Sequence, residues 1–325
     1  MRAIVLDDSG VRVDDAHPEP CAGDGEVVVD VLRAGVCATD LALVRGYMDF
    51  RGVLGHEFVG RATSGAFAGR RVVGEINAGC GACARCAAGD PRHCERRSVL
   101  GILARDGAFA ERLSLPERNL LAVPDGVDDD AAILTEPLAA AYGIVERLGG
   151  AVPERALVVG DGRLGLLCAL ALADSGASVE VLGRHADRQA IFDASHPRGP
   201  RPRHLGRPLA PDTRMDRVPL VVEASGRADL LDAAVGLVEP RGTLVLKTTT
   251  ERAPSVDTAR WVVDEIAVVG SRCGRFAPAL DALARGLVPH ERFVAERYPL
   301  RDGERALDRA AAGGVLKVAI DILPR

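Results

Sequence analysis

Residues 156–183, ALVVGDGRLGLLCALALADSGASVEVLG, constrain the fold of this chain more than any other stretch. Ala156–Gly160 is an apolar strand. Gly160, Gly162 and Gly165 follow at the spacing G-x-G-x-x-G, then a helical apolar run, then a second strand over Ser178–Gly183. Strand, glycine turn, helix, strand is the context in which that spacing reads as a dinucleotide fingerprint. Its glycines let the backbone approach a pyrophosphate seated at the helix N-terminus. Strands at Leu220–Glu223, Thr243–Lys247 and Ile266–Gly270, with a helix near Asp229–Leu237, continue a parallel sheet. Residues 196–217 hold six Arg and five Pro and read as an irregular connection that replaces a strand–helix unit. An NAD-binding sheet of this kind ends its second strand in an acid that accepts from the ribose 2′-hydroxyl. Here the strand ends in Gly183, Arg184 and His185, with Arg188 close by. Glycine leaves space and arginine offers paired donors to a 2′-phosphate, so NADP is the expected cofactor and NAD the alternative.

The N-terminal half has a different texture. Short β-branched runs at Ile4–Leu6, Val27–Val31, Phe58–Arg61 and Arg71–Val73 are separated by Pro- and Gly-rich turns, the pattern of a β-rich, barrel-like lobe. Within it, CGACARCAAGDPRHC places Cys80, Cys83, Cys86 and Cys94 at C-x2-C-x2-C-x7-C. Such spacing lets one loop wrap a tetrahedral ion with four sulfurs, a closed structural zinc site. An iron–sulfur cluster also takes four thiolates, but the long last gap and the lack of Pro after Cys94 favour zinc. Eight cysteines with no export signal point to thiols and metal rather than a disulfide framework.

A second constellation lies in GVCATDLALVRGYMDFRGVLGHEFVG, residues 35–60. Cys37 and His56 are good ligands for a borderline-soft ion, and a catalytic zinc needs three protein ligands and one open position. Glu136, among apolar residues in TEPLAAAYG, is the candidate third ligand; Asp128–Asp130 mark the start of a helix that runs through it. The net charge of −5 gives no basic excess for nucleic acid. No apolar run is long enough for a membrane span and the N-terminus has no secretory pattern, so a cytoplasmic location is expected.

In order along nearly the whole length, GVCATD, GHEFVG, the four-cysteine lobe, TEPLAAAYG, VVGDGRLG, VVEASG and VLKVAID resemble the zinc-dependent medium-chain dehydrogenases/reductases. This superfamily includes alcohol, polyol, sugar and threonine dehydrogenases. The resemblance implies an α/β chain: a GroES-like catalytic domain over 1–140 carrying the structural zinc lobe at 80–94, a Rossmann domain over 141–270, and a C-terminal segment, 271–325, that returns to the first. The active site would lie in the cleft between them. Cys37, His56 and Glu136 match the catalytic zinc ligands of the sorbitol- and glucose-dehydrogenase branch, with Glu57 the carboxylate that can exchange onto the metal. Whether Glu136, Glu57 or a water completes the shell stays open. Asp40 matches the acid that orients the zinc-bound His, and Thr39 the hydroxyl that passes the substrate proton. Gly160, Gly162, Arg163, Leu164 and Gly165, then Gly183, Arg184, His185 and Arg188 at the strand end, Ser225 and Lys317 match cofactor contacts.

The implied reaction is reversible hydride transfer between an alcohol and NADP, with an alkoxide formed at the catalytic zinc. The substrate is a small alcohol or carbonyl compound; polyols, sugars and amino alcohols fall within the class, and Tyr47–Phe50 would border it. Zn2+ is expected twice per chain, in a homodimer or homotetramer. Three departures stand out. Ala42 occupies the place of a relay His found in some alcohol dehydrogenases, and both the segment between GHE and the cysteine lobe and the Rossmann half after Arg188 are short. The alternatives are a zinc-independent NADPH enone or quinone reductase of the same fold, and a non-catalytic NADPH/zinc redox sensor.

Overall fold

In the computed structural model, which describes residues 1–210, 212–249 and 253–323, the chain divides into two compact units. One is Met1–Glu136 with His290–Arg325, the other Pro137–Pro289. The C-terminal return thus begins at His290, later than the 271 expected from the sequence, because the helix Phe276–Ala284 belongs to the second unit.

The second unit is built on a six-stranded parallel sheet. Its spatial order is Arg203–His204, Ser178–Leu182, Arg155–Val159, Val218–Glu223, Val238–Leu246, Ala267–Gly270. Numbered along the chain this is 3-2-1-4-5-6, the doubly wound order that reverses beside the first strand. The central strands read as near-continuous apolar runs because helices cover both faces of such a sheet. The helix Arg163–Asp174 is buried from Gly165 to Asp174, as an apolar sequence on all sides requires. One expectation needs correction. The Arg- and Pro-rich stretch is not wholly irregular: Arg203–His204 pairs in parallel with Glu180–Val181 and supplies the sheet's edge strand. Two residues suffice there because an edge strand pairs on one side only. Residue 211 of that stretch lies outside the described residues.

The first unit centres on the long strand Glu26–Gly35, which pairs with Glu57–Ala62, Arg112–Pro116 and Lys317–Asp321. The core beneath it gathers Val29, Val31, Phe58, Leu113, Leu115, Val318 and Ile320. Aliphatic residues make up most of this core, consistent with the 3% aromatic content, with Phe58 and Phe109 packed between them. Phe50, expected beside the substrate, is 5% exposed and packs into that core, whereas Tyr47 and Met48 are exposed. Met48 and Asp49 hold positive φ values of 61° and 49°, a strained turn for non-glycine residues. The helix expected from Asp128 through Glu136 is two helices, Asp129–Ala132 and Thr135–Arg147. Asp128 caps the first by accepting from the Ala131 N–H at 2.8 Å. Pro137 explains the break: inside one continuous helix its ring would meet the carbonyl of Ile133, whereas in a first turn its missing N–H costs nothing. Among the described residues, no helix is long and apolar enough to cross a membrane.

Candidate active site and metal centres

The strand register of the first unit assembles the first cluster. Gly35 pairs with Glu57 on one side and Ala319 on the other, which brings Glu57 and Lys317 together over a residue with no side chain. A Cβ at Gly35 would lie 2.7 Å from Glu57 Oε2 and 3.1 Å from Lys317 Nζ. Immediately after this strand, Cys37 stands at the N-cap of the helix Ala38–Val44. Asp40, one turn on, folds back so that its Oδ2 accepts from the Cys37 N–H at 2.8 Å, while Oδ1 lies 3.1 Å from His56 Nδ1. His56 and Glu57 enter at the start of their strand, and the thiol of Cys37 lies 3.7 Å from Thr39 Oγ1. Cys37, His56 and Glu57 each offer one ligand atom, and these lie within 4.8 Å of one another. Asp40 and Glu57 are fully buried and His56 is 3% exposed. Burial opposes the charged imidazole, yet the Asp40 carboxylate and the Cys37 thiol hold His56 well above its ordinary value. A half-buried thiol and two buried polar side chains converging on one point suit a cation.

Glu136 is half-buried in the first turn of its helix and is not a member of that group; the carboxylate the structure brings to Cys37 and His56 is Glu57. Lys317 requires a larger correction. Matched in sequence to a cofactor-phosphate contact, it has no exposed side-chain surface and forms an ion pair with the equally buried Glu57, donating also to the Val36 carbonyl at 3.2 Å. A buried ammonium needs such partners. Burial pushes it down to about 8, against the pull of Cys37 and Asp40. Removing one member of a buried ion pair strands the other, at a cost of about 3–5 kcal/mol. Lys317→Met should therefore lower the thermal unfolding midpoint of chelator-stripped protein, and adding Glu57→Gln should restore much of it. An unchanged midpoint in the single variant would contradict the pairing.

The second cluster is the cysteine lobe. Cys83 Sγ lies 3.6 Å from Cys86 Sγ and 3.7 Å from Cys94 Sγ, and the ligand atoms of all four cysteines fall within 4.8 Å of one another. A tetrahedron with metal–sulfur bonds of about 2.3 Å has sulfur–sulfur edges of about 3.8 Å. The sulfurs are spaced for one ion; a cluster of several iron and sulfide atoms would hold them further apart. None of the four is in a disulfide. The Cys80 thiol, held by the backbone N–H of Ala82, is lowered to about 6, and the guanidinium of Arg96 reaches its sulfur at 3.3 Å. Both favour the thiolate that binds metal.

The third region is the glycine turn of the second unit, where each glycine has its own reason. Gly160, at φ 110°, runs against the next strand: a Cβ there would lie 2.6 Å from the Ala224 carbonyl oxygen and 2.7 Å from Ser225 Cα. A Cβ at Gly165 would overlap the Gly160 carbonyl, so this residue lets helix and strand close up. Gly162, the N-cap of the helix, faces open space. That is the division of labour of a dinucleotide turn: tight bend, ligand approach, helix packing. Arg163 and Leu164 are half-buried in the first helical turn, and Ser225 donates to Glu223 Oε1 through both its backbone N–H, at 2.8 Å, and its hydroxyl, at 2.5 Å.

The strand end departs from expectation. The space beside Gly183 is filled by Asp161, whose carboxyl group overlaps the position a Cβ at 183 would take. Asp161 Oδ2 accepts from the His185 backbone N–H at 2.7 Å and lies 3.0 Å from His185 Nδ1 and 3.2 Å from His204 Nε2. Arg188 donates to the Asp161 carbonyl. Two of the three side chains expected to grip a 2′-phosphate, His185 and Arg188, are thus tied to Asp161, and Arg184 is exposed at the surface. Asp161 and His204 escaped the sequence reading; the one available signal was an acid between the first two glycines.

A mainly antiparallel sheet unit with a four-thiol lobe and a Cys–His–Glu group, joined to a doubly wound parallel sheet with a dinucleotide turn, defines a zinc-type, nucleotide-linked oxidoreductase class. Residues 23–125 match the alcohol dehydrogenase GroES-like domain. The chain is 30% identical to an L-threonine 3-dehydrogenase of Streptomyces coelicolor, covering 99% of both sequences. Among solved structures, a short chain alcohol dehydrogenase of Escherichia coli CFT073 complexed with NADH has the same fold, at TM-score 0.86 and 24% identity over 99% of both chains. A zinc-binding dehydrogenase of Sinorhizobium meliloti 1021 bound to NADP superposes at TM-score 0.83 and 25% identity over 98% of both. The chain belongs to the zinc-type medium-chain alcohol dehydrogenase family, enzymes acting on CH–OH donors.

Proposed function

We propose that this protein transfers a hydride reversibly between an alcohol and a nicotinamide dinucleotide, using one catalytic and one structural zinc ion. The observation that carries the reading is the convergence of Cys37, His56 and Glu57 beside the Thr39 hydroxyl. Zinc bound there supplies Lewis acidity toward an alcohol oxygen, and the nicotinamide accepts the hydride. The chain's own residues do the rest. Cys37 and His56 hold the ion, and Asp40, set against His56 Nδ1, leaves Nε2 as the ligating nitrogen. In this reading Glu57 is the third donor; its ion pair with Lys317 compensates a negative charge that would otherwise be buried alone. Thr39 passes the alcohol's proton, and the backbone around Gly162 receives the pyrophosphate at the N-terminus of the helix Arg163–Asp174.

For the substrate, the similarity to an L-threonine dehydrogenase supports an alcohol with polar substituents, such as an amino alcohol, polyol or sugar. Initial rates at 340 nm test this, with a panel of simple alcohols, polyols, aldoses, cyclitols and threonine, each with and without a chelator. The expected result is turnover of a polar alcohol that the chelator abolishes. Chelator-resistant reduction of enones would instead favour a zinc-free reductase, and tight nucleotide binding without turnover a sensor.

A further inference from the structure

The acid that a doubly wound sheet uses to hold the adenosine ribose of NAD comes from the end of its second strand. In this chain that position is Gly183, but the carboxylate has not gone. Asp161, from the glycine turn, places its Cβ, Cγ and Oδ2 in the volume a side chain at 183 would fill. An acid at 183 and an acid at 161 exclude each other sterically, and this chain uses the second. We propose that Asp161 is the ribose-recognition residue of this protein, accepting from the adenosine ribose hydroxyls and selecting NAD over NADP. The inference deepens the functional reading above and rests on it.

Three observations carry it. First, position: Asp161 follows the strand Arg155–Val159, beside the ends of Ser178–Leu182 and Arg203–His204. Ligands bind at the carboxyl ends of such parallel strands. Second, the side chain is held rather than mobile. His204, whose side chain has no exposed surface, accepts from the Gly206 N–H at Nδ1, 3.0 Å away, which leaves its Nε2–H to donate to Asp161 Oδ2. With the His185 N–H and ring on the same oxygen, Oδ2 is saturated. Oδ1 faces Arg188 Nη1 only at 3.5 Å and keeps acceptor capacity for a hydroxyl. Third, charge. Burial works against the anion, but the His185 N–H, Arg188 and the His185 ring hold Asp161 below the usual carboxylate range. An ionised carboxylate accepts from a hydroxyl and repels a phosphate at the same place. Arg188, a cation that could offset that repulsion, is committed to Asp161: it donates to the Asp161 carbonyl and its Nη1 lies 3.5 Å from Oδ1.

The test is equilibrium binding of NADH and NADPH to the purified full chain, followed by nucleotide fluorescence and needing no substrate. The wild type should bind NADH at least about tenfold more tightly, a difference of about 1.4 kcal/mol. Asp161→Asn keeps the size and one acceptor but removes the charge. It should narrow the ratio at least tenfold, chiefly by tightening NADPH; Asp161→Ser serves if Asp161→Asn misfolds. Tighter NADPH binding by the wild type, or an unchanged ratio in the folded variant, would overturn the proposal while leaving the oxidoreductase reading standing. Failure to bind either nucleotide would overturn both.

Discussion

Cys37→Ala should reduce alcohol turnover by at least about a thousandfold while nucleotide binding stays within about twofold of wild type. The magnitude follows from what the site is asked to supply. Lewis-acid stabilisation of developing negative charge on an alcohol oxygen is worth several kcal/mol, and about 4 kcal/mol corresponds to three powers of ten in rate. Cys37 carries one of three donors in the cluster and stands at the N-cap that Asp40 folds back to meet. Its loss removes the sulfur ligand without filling or emptying the core, because Cys37 is only half-buried. The glycine turn lies in the other unit of the chain and should bind nucleotide as before. Steady-state rates with a substrate found in the panel, beside a fluorescence titration, separate the two effects. Retained full activity would remove Cys37 from the catalytic centre.

The second large effect is expected at the cysteine lobe, where Cys94→Ser should lower the thermal midpoint by about 10 °C or more and make residues 80–94 the first site of proteolysis. A structural ion contributes folding free energy outright, and the lobe has little else to hold it. Its elements are a four-residue helix at Ala84–Ala87 and one turn at Pro91–His93. Cys94 is the buried member, its sulfur 3.7 Å from Cys83 and accepting from the Cys80 N–H at 3.4 Å. A loss of about 3–5 kcal/mol in a unit of this size moves the midpoint by roughly the stated amount. Differential scanning fluorimetry with limited proteolysis reads both; a midpoint within a degree of wild type would mean that the four sulfurs hold no ion.

The two sheets were legible in the sequence for different reasons. The glycine turn announces itself because each of its glycines answers a separate steric demand, and the four cysteines because their spacing has few other uses. The helix break before Thr135 was missed, although Pro137 carries the signal once the cost of a proline in a helix interior is applied. What escaped the sequence was whatever depends on register across distant strands. Lys317 matched a basic contact to the cofactor phosphates. Only the pairing of Gly35 with both Glu57 and Ala319 shows that its ammonium is buried against a carboxylate. Glu57 joins Cys37 and His56 for the same reason, a grouping that spacing along the chain does not reveal. Gly183 was read as empty space because one-dimensional reasoning takes a missing side chain for a vacancy. A neighbour 22 residues earlier in the chain fills it.

The central claim, that the chain is built around two metal centres of different kinds, is tested most directly by counting metal. Inductively coupled plasma mass spectrometry on the purified protein and on Cys37→Ala and Cys94→Ser should return about two zinc ions per wild-type chain and about one in each variant. Iron in the four-thiol lobe, or a wild-type chain that oxidises alcohols with no zinc bound, would contradict it.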